Sequence, residues 1–232
     1  SPGFELNDIG YMQVADQYLG VGVINYNIYN PFSIFNSMSF GTNLIHMMDF
    51  GGNTNVVGFS GSWSAQYKNL WGSFVSSQLN SPETDNLLLR GGPSMKMPGQ
   101  FYIGGGIYSN SRKRLSSEFD IRYFRTFQDV RTSYNLSFEL EYRPLDNLTF
   151  SAEPEWSMTR NEMQYVTTVS ATSGVYTPRY IFGTIDQKIL SISLRVDYNI
   201  TPDLTIQYWG QPFFGSGDYS NFRNITDPHA DA

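Results

Sequence analysis

A chain of 232 residues with a formal charge of −6 and a pI near 4.8 argues against nucleic acid as a partner. It has no cysteine, which removes disulfides, thiolate zinc sites and cysteine nucleophiles together. No apolar run approaches the roughly 20 residues of a helical span, which excludes a helical membrane protein.

Mean hydropathy is −0.33, a value typical of soluble proteins. A sheet that alternates lipid-facing and polar residues averages to the same figure, so the value does not exclude a β-barrel. Aromatics make up 16% of the chain, with 16 Tyr and 17 Phe. That excess suits the aromatic girdles of a membrane barrel and equally an aromatic-rich sandwich core. The chain opens at Ser1-Pro2-Gly3 with no initiator Met and no signal-peptide pattern, so a mature or trimmed piece of a longer protein is expected.

In chain order, a first strand is expected at about 11–29, broken by Asn30-Pro31, and a second at about 33–50. Gly51-Gly52-Asn53 is a turn signal. A third strand over about 54–79 alternates Val57, Phe59, Trp63, Ala65 and Tyr67 against Ser60, Ser62, Ser64, Gln66 and Lys68. Residues 81–99 hold three prolines and no alternation, so they read as a long loop. A Gly-rich fourth strand (100–109) meets the basic turn 110–114, and a fifth runs to about Phe127.

The sixth strand sets Tyr134, Leu136, Phe138, Leu140 and Tyr142 against Asn135, Ser137, Glu139, Glu141 and Arg143. Pro144-Leu145-Asp146-Asn147 turns it into a seventh, with Leu148, Phe150, Ala152, Trp156 and Met158 opposed to Thr149, Ser151, Glu153, Glu155 and Ser157. Residues 161–178 read as a second long connection. From Leu190 to Ile200 every even position is apolar and every odd position between is polar. Thr201-Pro202-Asp203 then turns the chain into a ninth strand from Leu204, and after Phe214 the pattern fades. No helical pattern of 10–15 residues occurs, so the expected fold is all-β. Short turns at 51–53, 110–114, 144–147 and 201–203 fall at one end of this meander and the long segments at the other, as in outer-membrane barrels.

Three stretches carry a family likeness: GFELNDIG at the start, LLRGGPSMKMPG in the first long loop, and YIFGTIDQKILSISLRVDYNITPDLTIQYWGQPFFGSGDYSNF near the end. Together, over nearly all of residues 3–231, the chain resembles an uncharacterised family of Bacteroidota outer-membrane proteins. In that family the barrel usually follows an amino-terminal domain like carbohydrate-binding module 9. The resemblance implies an outer-membrane barrel and an association with glycans, and it implies no settled activity. The amino-terminal domain and the early and final strands of the family pattern are not in this chain.

For chemistry, only His46 and His229 supply imidazoles. An esterase would pair His46 with a strand serine such as Ser37 or Ser39, whereas a strand-end or lumen-wall histidine is the plainer reading. Pairing Tyr142 with Leu148 sets Glu141 opposite Thr149 and Glu139 opposite Ser151. Glu139, Glu141, Glu153 and Glu155 then gather on one polar wall, which Asp197 joins and which Arg143 and Arg195 balance. Paired carboxylates can do acid–base or glycosidase work, but a charged lumen lining or an ion pathway needs no catalysis. Arg90, Gly91, Gly92 and Pro93 are the candidate recognition residues of the first long loop. Gly104-Gly105-Gly106 lacks the strand–loop–helix setting of a phosphate cradle. No metal constellation and no cofactor motif is present.

The chain thus reads as an antiparallel transmembrane β-barrel segment, about nine strands of a larger barrel, in a bacterial outer membrane. Its expected role is transport, or surface anchoring of a glycan-binding domain, and not catalysis. The expected partners are outer-membrane lipid, remaining segments of the parent chain or another outer-membrane protein, and glycans. A soluble β-sandwich carbohydrate-binding module is the alternative, and an outer-membrane hydrolase the third.

Overall fold

The computed structural model describes residues 17–52, 54–85, 88–90, 92–169 and 178–227. They build an all-β chain of thirteen strands: β1 (Tyr18–Ile28), β2 (Phe35–Met48), β3 (Thr54–Tyr67), β4 (Gly72–Asn80), β5 (Glu83–Asp85), β6 (Met95–Met97), β7 (Gln100–Tyr108), β8 (Leu115–Thr126), β9 (Arg131–Leu145), β10 (Leu148–Val169), β11 (Arg179–Thr201), β12 (Leu204–Gly210) and β13 (Phe213–Ile225). The sole helical element among the described residues is a 3-10 turn at Phe127–Asp129. Apart from the small β5–β6 ladder, every strand joins one antiparallel sheet in chain order.

β12 and β13 both pair with β11, β12 along 194–201 and β13 along 180–191. They are one edge strand interrupted at Gln211-Pro212, where Pro212 brings no N–H but its carbonyl still accepts from Ile192 (3.0 Å). The sheet is therefore ten strands wide. Among the described residues neither the outer edge of β1 nor that of β12–β13 carries a partner, so the sheet is open.

Alternation dictates its two faces. Tyr26, Phe40, Trp63, Val75, Gly105, Ile121, Leu136, Trp156, Leu190 and Phe214 form one continuous row across all ten strands. The next row faces the other way and runs Asn25, Gly41, Ser62, Ser76, Gly104, Arg122, Asn135 and Ser157. No described residue covers the apolar face: Leu44 is 52% and Phe59 55% exposed. Only seven apolar residues are buried among those described, and five of them (Leu89, Met95, Val130, Met163, Phe182) form one cluster at the long-loop end.

Four sequence expectations need correction. The stretch 54–79 is two strands, because Lys68 to Trp71 turn the chain with Leu70 at φ 66 and Tyr67 N–H bonded to the Trp71 carbonyl (2.8 Å). That turn raises the count from about nine to ten. It also moves the 49–53 connection to the same end as residues 81–99, so the short turns sort less cleanly than expected. Residues 161–169 are not loop; they continue β10, whose alternation is blurred by bulges between Asn161 and Gln164 and between Tyr165 and Thr167. Beyond Phe214 the strand does not fade, since β13 pairs with β11 as far as Ile225.

Candidate functional site

The polar face of β8 to β12 carries a row of charged side chains. Glu139, Glu141 and Arg143 come from β9, Glu153 and Glu155 from β10, and Arg195 and Asp197 from β11, all on one side by alternation. The predicted register is corrected by two residues. Leu148 pairs with Leu145 at the turn, a bulge follows, and Phe150 pairs with Tyr142, so Glu141 lies opposite Ser151. The pairs Ala152–Leu140 and Glu155–Ser137 then set Glu153 level with Glu139. Between them the β9–β10 ladder is interrupted at Pro154, which has no N–H to give.

Glu139 also pairs with Glu118 of β8, and Glu153 with Ser193 of β11. One row thus carries three carboxylates on three adjacent strands, with Asp120 opposite Ser137 in the next row. Glu118 and Asp120 were not singled out from sequence. The even positions Glu118, Asp120 and Arg122 against Leu115, Phe119, Ile121 and Tyr123 were the available signal. Trp209 of β12 was missed too; it pairs with Arg195 on the polar face and is 63% exposed.

The cations of this wall are engaged locally. Arg143 Nε lies 3.1 Å from Glu141 Oε1, while its Nη2 donates to the carbonyls of Ser111 and of Lys113 (3.1 Å), fastening the 109–114 turn to β9. Arg195 Nε lies 3.0 Å from Asp197 Oδ2. By contrast the polar face of β2 to β4 is uncharged, built from Ser39, Asn43, Ser60, Ser62, Ser64, Ser76 and Gln78. The face is electrostatically lopsided, hydroxyl-rich on one half and acidic on the other.

The loop candidates serve packing. The Arg90 guanidinium stacks on the Tyr165 ring at 4.5 Å. Gly92 donates its N–H to the Leu89 carbonyl (3.1 Å), and a Cβ there would lie 2.5 Å from the Tyr180 hydroxyl. Pro93 follows in irregular backbone, and Gly91 lies outside the described residues. Leu89 and Met95 from this loop meet Val130, Met163 and Phe182, with Tyr165 edge-on to Phe182 at 5.8 Å. The first long loop is thereby fastened as a cap onto the far end of the β10–β11 hairpin.

His46 and the serines proposed with it are not brought together. His46 faces the apolar side and bonds Thr54 Oγ1 through Nε2 (3.2 Å), whereas Ser37 and Ser39 point to the polar side. His229 lies outside the described residues. Gly104 to Gly106 sit inside β7, where a Cβ at Gly105 would come within 2.8 Å of the Phe74 carbonyl. Close strand approach, and not a phosphate, accounts for that glycine.

A family model described as a domain of unknown function (DUF5916) matches residues 1–229. No curated protein and no solved structure matches the chain.

Proposed function

We propose that this chain, which belongs to the DUF5916 family, forms part of the wall of an outer-membrane β-barrel and lines a passage for polar solutes. The observation that carries this reading is the uncovered apolar row that crosses all ten strands, backed on the other face by serines, asparagines and carboxylates. An aqueous sheet must bury such a face under a second layer, and exposed apolar patches of more than a few hundred Å² mark a partner or a membrane. Lipid meets the need without any second layer.

Dimensions support the same reading. The apolar positions Leu190 to Ile200 span eleven residues, which at roughly 3.3 Å each and a tilt of about 45° is a band about 25 Å tall. Beyond Leu190 the same face turns charged. Lys188 pairs with Met158, and Arg160 forms ion pairs with Asp186 (3.0 Å) and Glu162 (3.1 Å). In a bilayer these residues stand just past the hydrocarbon, and the capped end of the β10–β11 hairpin projects from the membrane.

In hydrocarbon each unpaired backbone group of an open edge costs several kcal/mol. The edges of β1 and of β12–β13 therefore acquire partners there, either each other or strands from outside the described residues. Ten strands leave β1 and β12–β13 running in opposite directions, so closure with an even number of further strands, or none, stays antiparallel throughout.

The native chain has no cysteine, so single cysteines placed from 190 to 200 report cleanly. In the outer membrane a water-soluble thiol reagent should modify positions 191, 193, 195 and 197 and spare 190, 192, 194 and 196. Uniform modification of both sets would contradict a lipid-facing band.

A further inference from the structure

The sheet end opposite the long loops is basic, although the chain as a whole carries a formal charge of −6. The connections from β1 to β2 (29–34), β3 to β4 (68–71) and β7 to β8 (109–114) hold Lys68, Arg112, Lys113 and Arg114 and no carboxylate. The two remaining turns at this end add only Asp146 and Asp203. At the long-loop end the balance is reversed, with Asp49, Glu83, Asp85 and Asp129 against Arg90 and Lys96 among the described connecting residues.

Two arginines hold this basic rim in place. Arg143 Nη2 donates to the carbonyls of Ser111 and Lys113, and Arg114 Nη1 donates to the Pro144 carbonyl (2.7 Å), so the 109–114 turn is tied twice to β9. Lys68, Arg112 and Lys113 remain exposed and form no ion pair among the described residues.

The apolar face runs directly into these cations. Leu115 follows Arg114, pairs with Tyr142 on that face, and is 55% exposed. On the other flank the rings of Phe32, Phe35 and Tyr67 succeed one another at 5.4 and 5.3 Å. Beside them Ile34, Tyr67 and Lys68, with Ser33 and Asn69, line a hollow of about 410 Å³. A ring-lined margin with cations just beyond it suits the headgroup layer, where aromatic girdles sit and long cationic side chains reach phosphate.

We infer, resting on the membrane reading above, that this end docks on the headgroups of anionic phospholipids, with Lys68, Arg112 and Lys113 as the contacts to phosphate. Charge complementarity selects a net-negative headgroup, since basic residues at a membrane surface are drawn to anionic lipid. The uncovered apolar face continues into the rim without a break, so hydrocarbon against one places headgroups against the other.

The test is a urea titration of folding of the full chain into vesicles of phosphatidylcholine, with and without phosphatidylglycerol. Folding into phosphatidylcholine alone reads the lipid-facing band. The ratio of the two folding constants reads the rim. Phosphatidylglycerol should raise the constant of the parent, and R112Q/K113Q should lower that gain roughly tenfold, as expected for two cations near an anionic surface. R112K/K113R, which keeps both charges, should retain the gain, and Lys68→Gln should lower it about threefold. High salt should abolish the differences by screening. An undiminished gain in R112Q/K113Q, or no gain in the parent, with folding into phosphatidylcholine intact, would overturn this inference and leave the lipid-facing band standing. Failure to fold into either vesicle would overturn both.

Discussion

Placing an arginine on the apolar face separates lipid from every other cover, because its cost in a membrane depends on depth. Val196 lies one residue from the middle of the Leu190–Ile200 band, which the lipid reading puts a few Å from the midplane. Arginine there should cost about 2–4 kcal/mol, since a guanidinium in hydrocarbon loses its hydration. Ile200 ends the same band on the same face, and Ile200→Arg should cost about 0–1 kcal/mol, as at an interface. Ser193→Arg points to the other face opposite Glu153, gains an opposite charge, and should stay within about 0.5 kcal/mol of the parent. Urea titrations of folding into lipid vesicles read all three differences. A cover made of protein would penalise Val196→Arg and Ile200→Arg alike. Equal costs at 196 and 200, or a Ser193→Arg cost as large as that of Val196→Arg, would refute the assignment of this face to lipid.

Three further outcomes follow from the same geometry. Protease added to whole cells should cut within 81–99 and in the connection from β10 to β11, with 109–114 and 202–203 protected until the outer membrane is opened; the reverse pattern would invert the topology. Phe182 is fully buried in the cap cluster, so Phe182→Ala should cost about 3–5 kcal/mol locally, read as faster amide exchange in β5 and β6 with the β2–β3 ladder unchanged. Burial first, and then the neighbouring carboxylate of Asp85, push the Glu83 carboxyl above its ordinary value of 4.5. The neutral form is thus favoured in the folded cap: this stabilisation is fully present below pH 4.5 and is lost as pH rises through the raised value. Exchange of the β5–β6 amides, compared with Glu83→Gln at each pH, should show protection falling across that interval in the parent alone.

The strands with strict alternation were legible from residues. Leu190 to Ile200 and Tyr134 to Tyr142 place one side chain in two on each face, and tertiary context had nothing to override. The turn at Lys68 to Trp71 was not legible, because it contains neither glycine nor proline and its left-handed residue is Leu70. Missing it changed the strand count by one and the end to which 49–53 belongs. β13 was hidden differently. GSGDYSNF has turn-forming composition, yet a ladder is made by backbone groups, and β11 offers a partner along its whole length. The carboxylate wall was legible in membership but not in register: the chain turns on Asp146-Asn147 alone, pairing Leu148 with Leu145, and the bulge before Phe150 takes one residue back, a net shift of two from the expected pairing. Bulges leave no periodic mark in sequence. Trp209 was absorbed into an aromatic-rich run, where its odd position was the lone sign that it faces the carboxylates.

The central claim, that one face of this sheet meets lipid and the other does not, is tested most directly by the chain's own tryptophans. Trp156 lies in the apolar row and Trp209 on the polar face. In vesicles of lipids brominated along their acyl chains, a variant retaining Trp156 alone should lose markedly more of its fluorescence than one retaining Trp209 alone. Equal quenching of the two, or none for Trp156, would contradict the account.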